Sequence, residues 1–384
     1  MDATLTDEER LLQATAREFA EREVGPGAIE RDEAERYDRS LFRAMGSLGL
    51  TAAPFPEAVG GAGFSYLAWT LVMEELGAVD MAMAVSLSVH ILSQYPVVSW
   101  GNDEQRARWL PAMQAGEALG AFALTEPHAG SDAAALRTRA ERHGDAYRLT
   151  GTKIWISNAP EAERYLVFAT VDPSAGPRGI TAFLVERDTP GFRFGAHERK
   201  MGIRACPAAE LVFEDCEVPA ANRLGAEGEG YRIALSALGE GRISIAAACV
   251  GLARAGVEAA ARYLGERTAF GGVLADQQGL RFMLAEMARD VAAARALTRI
   301  AAAAKDRDEP LAEVSSLAKW TASDTAMRVA TEAVQLFGAS GYSRETGIER
   351  LMRDAKGAQI YEGTNQIHRE IVAGEVLKRA RPEA

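Results

Sequence analysis

The chain has 384 residues, 48% hydrophobic and 25% charged, enough for two or three domains with more than one core. Its net charge of −11 excludes binding to nucleic acid or an anionic membrane through the overall field, but leaves room for a phosphate-bearing small molecule held by local groups. Cys206, Cys216 and Cys249 show no CxxC spacing, and the five scattered histidines form no HExxH, so neither a disulfide framework nor a metal centre is expected.

The N-terminal stretch MDATLTDEER carries acid where a secretory or transit peptide carries base, so a cytoplasmic protein is expected. Thr6 followed by Glu9 is a capping-box pattern that opens a helix to about Val24, stopped by Gly25-Pro26-Gly27. Further helices are expected around Ser40–Leu48 and Ser65–Leu76, with a loop over Pro54–Gly63 between them. Met81–Asn102 then runs 22 residues without a charge. His90, Gln94, Pro96 and the serines make it a helix buried in protein, not a membrane span. Residues 1–118 thus read as an N-terminal helical domain.

Over residues 119–227 the period shortens. Tyr147–Thr150 and Lys153–Ile156 flank a predicted Thr150-Gly151 turn. Tyr165–Val171, Ile180–Glu186, Phe192–Phe194 and Glu210–Phe213 are further β-rich runs between Gly, Pro and Asp residues. They imply a middle antiparallel β-barrel-like domain without a Rossmann unit. Over 228–384 alanine-rich helices are predicted at Ile243–Thr268, Ala275–Asp306, Leu311–Phe337 and after Gly363, suiting a C-terminal four-helix bundle. The fold class is α+β.

Three segments could carry chemistry. Phe122–Asp132 (FALTEPHAGSD) is either a loop that caps a short turn at Ala133–Arg137, or a polar loop that bonds a heteroaromatic ring edge or a phosphate. Trp155 is either core or an indole covering a planar cofactor beside Ser157 and Asn158. Glu362, in Ile360–Ile367 (IYEGTNQI), is either a solvated acid before a helix capped by Thr364 or Asn365, or a desolvated carboxylate fit to take a carbon-bound proton.

Five separated segments occur in order: FALTEPHAGSD, GTKIWISNA, RTAFG followed by Gln278, QLFGASGY, and RDAKGAQIYEGTNQIHR. Together they resemble the acyl-CoA dehydrogenase family over nearly the whole chain, to Leu377. The resemblance implies a flavoprotein oxidoreductase of fatty acid metabolism, usually a homotetramer with one FAD per subunit. It places Phe122, Leu124 and Thr125 at the flavin ring, and Ser131 between FAD and the acyl thioester. Trp155, Ile156 and Ser157 would pack on and bond the isoalloxazine. Arg267, Gln278 and the run Gln335, Leu336, Phe337, Gly338, Ala339 resemble positions that reach FAD across a subunit interface. Thr364, Asn365 and Gln366 match further FAD contacts, and Arg242 and Gly363 match substrate contacts.

Glu362 resembles the family's catalytic base. In the subset that carries its base just before the matching arginine, the equivalent position is Gly241 here, which favours Glu362. The implied reaction is α,β-dehydrogenation of an acyl thioester to the trans-2-enoyl thioester, with electrons passed to an electron-transferring flavoprotein. Gly239 replaces the usual aspartate near the pantetheine arm, and Gln277 replaces a usual phenylalanine. Acyl-CoA and carrier-protein-bound acyl thioesters therefore both stay open as substrates. An oxygen-using member of the same fold and a non-catalytic scaffold are the rivals; air reoxidation would reveal the first, and a colourless protein the second.

Overall fold

In a computed structural model, residues 5–380 are described; 1–4, at the start of the acid-bearing N-terminal stretch, and 381–384 lie outside the described residues. The first module contains α1 (Asp7–Phe19), α2 (Ala28–Glu33), α3 (Arg39–Ser47), α4 (Tyr66–Val79), α5 (Met81–Trp100) and α6 (Asp103–Gln114). The capping box forms: Thr6 Oγ1 accepts from Glu9 N, and Thr6 N donates to Glu9 Oε2 at 2.8 Å. Beyond Phe19 the helix continues as one π-helical stretch, Ala20–Val24, before the Gly25-Pro26-Gly27 break. Asp38 caps α3, Ser65 caps α4 and Asp80 caps α5.

The middle module is one eight-stranded sheet: β1 (Gly120–Ala123), β2 (Arg139–His143), β3 (Ala146–Ser157), β4 (Arg164–Thr170), β5 (Ile180–Glu186), β6 (Phe192–His197), β7 (Ala208–Pro219) and β8 (Arg223–Leu224). The order is β6-β7-β3-β2-β4-β5-β8. Five of the sheet's seven strand pairs are antiparallel, as expected, and two contacts of β4 are parallel. β1 runs parallel to the first half of β4, and β2 meets the last residue of the same strand in parallel. β1 enters directly from the helical module and so reaches β4 by a long connection, which a parallel pair requires. The predicted Thr150-Gly151 turn is instead a register shift inside the continuous strand β3. Glycine is needed there for contact: a Cβ on Gly151 would stand 2.6 to 2.8 Å from Thr138.

The third module holds α7 (Gly230–Glu266), a small hairpin of β9 (Thr268–Ala269) and β10 (Gly272–Val273), α8 (Gln278–Asp306), α9 (Ala312–Phe337), α10 (Ala339–Tyr342), α11 (Ile348–Ala358) and α12 (Asn365–Ala380). α7, α8 and α9 pack on one another, α12 is the helix expected after Gly363 and packs on α9, and α11 is an additional helix packed on α9 and α7. α7 starts well before Ile243. Tertiary burial overrides the poor helix propensity of Gly239 and Gly241, both packed inside the fold.

α4 and α7 join the first and third modules through glycines. A Cβ on Gly77 would press on the Ala248 backbone at 2.7 Å, and one on Gly251 would press on Ala78 N at 2.8 Å. Across the same seam Trp69 Nε1 donates to Ser244 Oγ at 2.8 Å. Buried Glu74 accepts from Arg295 at 2.8 Å, and buried Glu75 accepts from Arg17 at 2.8 Å, tying α8 and α1 to α4. Two helices, α5 and α7, have the length and composition of a membrane span, but 83% and 72% of their most apolar windows are buried inside the fold. All three cysteines are free and buried, and among the described residues no group of three His, Cys, Asp or Glu side chains could hold a metal.

Candidate active site

A cleft of about 1480 Å³ runs between the sheet and the helices α5, α7, α11 and α12. Phe122, Leu124, Thr125, Ser131, Trp155, Ile156 and Ser157 of the middle module line it with Arg242, Glu362, Gly363 and Thr364 of the third, and Val85, Val89, Leu92 and Tyr95 of α5 bring in the first.

The sheet side depends on an irregular strand end. β3 shifts register against β7 between Lys153 and Ile156, and Trp155 takes φ 59°, a left-handed conformation rare for a bulky residue. The bulge throws the indole outward: Trp155 is 54% exposed and faces the cleft, so it is not core. Asn158, also left-handed at φ 66°, donates from Nδ2 to Ser86 O at 2.9 Å and Gly120 O at 3.1 Å. It pins the end of β3 to α5 and β1.

The Phe122–Asp132 loop is tied to the same strand. Ile154 N donates to Thr125 O at 3.0 Å. Fully buried Lys153 donates to Leu124 O at 3.0 Å and to Glu126 Oε1 at 2.7 Å. Glu126 also accepts from Arg137 N at 2.6 Å and Thr138 N at 2.9 Å. Burial alone would raise the Glu126 carboxyl, but Lys153 and these donors hold it below the usual range. Burial likewise pulls the Lys153 ammonium down to about 8 against the pull of Glu126. The loop does end in a short turn, Ala133–Ala135, but Asp132 makes no side-chain cap to it. Lys153 and Glu126 escaped the sequence reading. Their signal was the alternation Tyr147, Leu149, Gly151, Lys153, which puts the lysine on the inward face.

The helical side carries Glu362. Its backbone is left-handed at φ 54°, followed by Gly363 at φ 94°, just before α12. The residue as a whole is half-buried, yet both carboxylate oxygens are sealed from water and have no hydrogen-bond partner. Burial pushes this carboxyl up to about 7, against the nearby positive charges of Arg242 and Lys319. Arg242 Nε donates to the Glu362 carbonyl at 3.4 Å, not to its carboxylate. The carboxylate rests on α7 at Gly241: a Cβ there would lie 2.9 Å from Oε1 and closer still to Oε2. Positions 241 and 362 thus compete for one space, and the glycine leaves it to the glutamate.

Thr364 lines the cleft and caps α12, with Oγ1 accepting from Ile367 N at 3.4 Å. Asn365 turns away, bonded to Lys319, Ser323 and Asp324 on α9, and exposed Gln366 is not in the cleft wall. Arg267, Gln278 and Gln335–Ala339 lie elsewhere. Arg267 ends α7, Gln278 starts α8 and the run ends α9, where Phe337 stacks on Tyr263 with ring centroids 4.2 Å apart. Near these residues in the sequence, Phe270 (93%), Phe282 and Tyr342 are exposed.

Three family descriptions cover the chain: acyl-CoA dehydrogenase N-terminal domain over residues 6–117, middle domain over 121–216 and C-terminal domain over 228–377. An acyl-CoA dehydrogenase of Bacillus subtilis is 42% identical over 97% of this chain and 99% of its own. Butyryl-CoA dehydrogenase from Megasphaera elsdenii superimposes with a TM-score of 0.96 at 43% identity, covering 98% of this chain and 100% of that one. A chain in the structure of the electron transferring flavoprotein of Acidaminococcus fermentans, determined toward a mechanism of flavin-based electron bifurcation, gives 0.97 at 45% identity, covering 98% and 100%. In fold, in length and in the elements that surround the cleft, this chain belongs to the acyl-CoA dehydrogenase family, which makes it an oxidoreductase acting on acyl-CoA and implies a flavin cofactor.

Proposed function

We propose that the chain is an FAD-dependent acyl-thioester α,β-dehydrogenase in which Glu362 removes the α-proton. The observation that carries this reading is the Glu362 carboxylate: partnerless, sealed from water, raised to about 7 and set in the wall of the one large cleft described. A base with a pKa near the working pH is present as the carboxylate and still strong enough to take a carbon-bound proton. The cleft also fits a planar ring, because a half-exposed indole faces it beside the polar edge of Thr125, Ser131 and Ser157.

Bound FAD supplies the two-electron acceptor for the hydride that leaves the β-carbon. The chain's own groups do the rest. Phe122, Leu124, Thr125, Trp155, Ile156 and Ser157, which line the cleft, would hold the ring, and Ser131 would serve both the ring and the thioester. The Glu362 carboxylate takes the α-proton as the double bond forms. The Glu362 backbone N–H donates to the thioester carbonyl, where negative charge builds. Arg242 and Gly363 shape the substrate side, and exposed Arg199 and Arg232 on the cleft give the phosphates of CoA a positive lip.

Thr364 adds a contact to FAD from α12, with Asn365 and Gln366 beside it. Arg267, Gln278 and Gln335–Ala339 would hold the FAD of a neighbouring subunit in a homotetramer, a reading supported by the exposed apolar Phe270, Phe282 and Tyr342 near them in sequence. Electrons then pass to an electron-transferring flavoprotein, in line with the Acidaminococcus similarity, and the enzyme works in the cytoplasm.

The test is anaerobic titration of the yellow protein with short, medium and long acyl-CoAs and the matching acyl-carrier-protein thioesters. Flavin bleaching by an acyl-CoA supports this reading. Bleaching by the carrier-bound thioester alone replaces it with a carrier-protein dehydrogenase, and no bleaching by either overturns it.

A further inference from the structure

Lys319 sits on α9 with its side chain fully buried, and among the described residues no carboxylate lies within 4 Å of its ammonium. A buried lysine without a counter-ion is costly to keep charged. Its two acceptors lie at the end of the left-handed turn of Glu362 and Gly363 and just after it: Nζ donates to Gly363 O at 2.7 Å and to Asn365 Oδ1 at 3.2 Å.

The same stretch of α9 holds the loop at further points. Ser323 Oγ donates to Asn365 Oδ1 at 3.1 Å, and Asp324 Oδ1 accepts from Asn365 Nδ2 at 2.8 Å and Gln359 Nε2 at 2.6 Å. Asn365 N closes the loop onto Gln359 O at 3.1 Å. Glu362 therefore occupies a strained conformation between two clamped ends. Such backbone strain persists only where the surroundings over-determine it.

We propose that Lys319 is a positioning residue for the dehydrogenation, fixing the Glu362–Gly363 turn through the Gly363 carbonyl and stabilising the ionised form of Glu362 with its buried positive charge. This rests on Glu362 being the base. The groups that face Glu362 and its clamp are Arg242 and Cys249 on α7, Lys319 and Asp324 on α9, His368 on α12 and Tyr361 beside it in the chain. Burial holds Lys319 down to about 8, with Arg242 also lowering it and Cys249 and Glu362 raising it. Burial keeps His368 neutral near pH 7, with its pKa at about 3, and keeps the Tyr361 phenol and Cys249 thiol neutral. Arg242 and Lys319 are thus the cations whose charge Glu362 feels; Arg242 bonds the Glu362 carbonyl, and Lys319 bonds Gly363 and Asn365.

The experiment compares Lys319→Met, Lys319→Gln and Lys319→Arg with Glu362→Gln, each as FAD-loaded enzyme checked for flavin content and oligomeric state. Lys319→Met should lower kcat at least about tenfold with a smaller change in KM, because the misplacement is felt in the transition state. The acid limb of its pH–rate profile should move up by about one unit, as expected on losing a nearby opposite charge. Lys319→Gln keeps a donor without the charge, so it should recover part of kcat while the acid limb stays high. Lys319→Arg should bring the limb back toward that of the unmodified enzyme.

If Lys319→Met loads no flavin, the Gln and Arg profiles carry the test on their own. A dead Glu362→Gln together with Lys319 variants of unchanged kcat and acid limb would overturn the positioning role alone. An active Glu362→Gln would instead overturn the base on which it rests.

Discussion

At Glu362, stability and activity depend on pH in opposite directions. Its carboxyl is raised by burial from the ordinary value of 4.5 to about 7. The fold therefore favours the protonated acid, and the stability this contributes is present below the unfolded pKa and lost as pH rises through about 7. Activity runs the other way, because only the carboxylate can take a proton. kcat/KM for an acyl thioester should rise along an acid limb centred near pH 7, measured in steady state with an artificial electron acceptor. An acid limb near pH 4 to 5 would mean that the side chain is solvated when the enzyme works. Gly241 is the second residue-scale lever. Gly241→Ala puts a methyl group into the carboxylate's space and should cut kcat while leaving FAD content unchanged.

Among elements, β3 is where local irregularity becomes a site. Lys153 and Glu126 lock the Phe122–Asp132 loop onto it, and the bulge between Lys153 and Ile156 turns Trp155 outward. Breaking a buried pair by removing one partner costs about 3–5 kcal/mol, because the other charge is left unpaired. Lys153→Met should therefore loosen the loop, weaken FAD retention in a fluorescence titration and lower the melting temperature. Unchanged FAD affinity would separate the pair from the flavin wall.

Sequence legibility followed the same division. Caps and breakers could be read directly, since Thr6, Glu9 and Gly25–Gly27 act through neighbours in the chain. The outward Trp155, the extended start of α7 through Gly239 and Gly241, and the parallel contacts of β4 depend on distant partners. Lys319 stayed hidden because lysine ordinarily marks a solvated face. The clue was its place on the buried row Ser315, Lys319, Ala322, Ala326.

At the scale of the whole molecule, three modules converge on one cleft, and a net charge of −11 does not prevent an anionic ligand from being held by a few local cations. The motif residues split into two sets. Most line this chain's own cleft, while Arg267, Gln278 and Gln335–Ala339 lie outside it on an exposed face, with the exposed Phe270, Phe282 and Tyr342 near them in sequence. If that face serves a neighbour's cofactor, Arg267→Ala should lower FAD affinity without disturbing the cleft around Glu362. Dilution that dissociates the assembly, followed by sedimentation, should release FAD in step. Flavin that stays bound to a dissociated monomer would assign these residues another role.

The most direct test of the account is the anaerobic reaction of Glu362→Gln with an acyl thioester that bleaches the flavin of the unmodified enzyme. The variant should remain yellow, bind the thioester and show at least about a thousandfold slower bleaching, since the group that takes the proton is gone while the binding surfaces remain. Bleaching at a near-normal rate would contradict the account at its centre and require a different base.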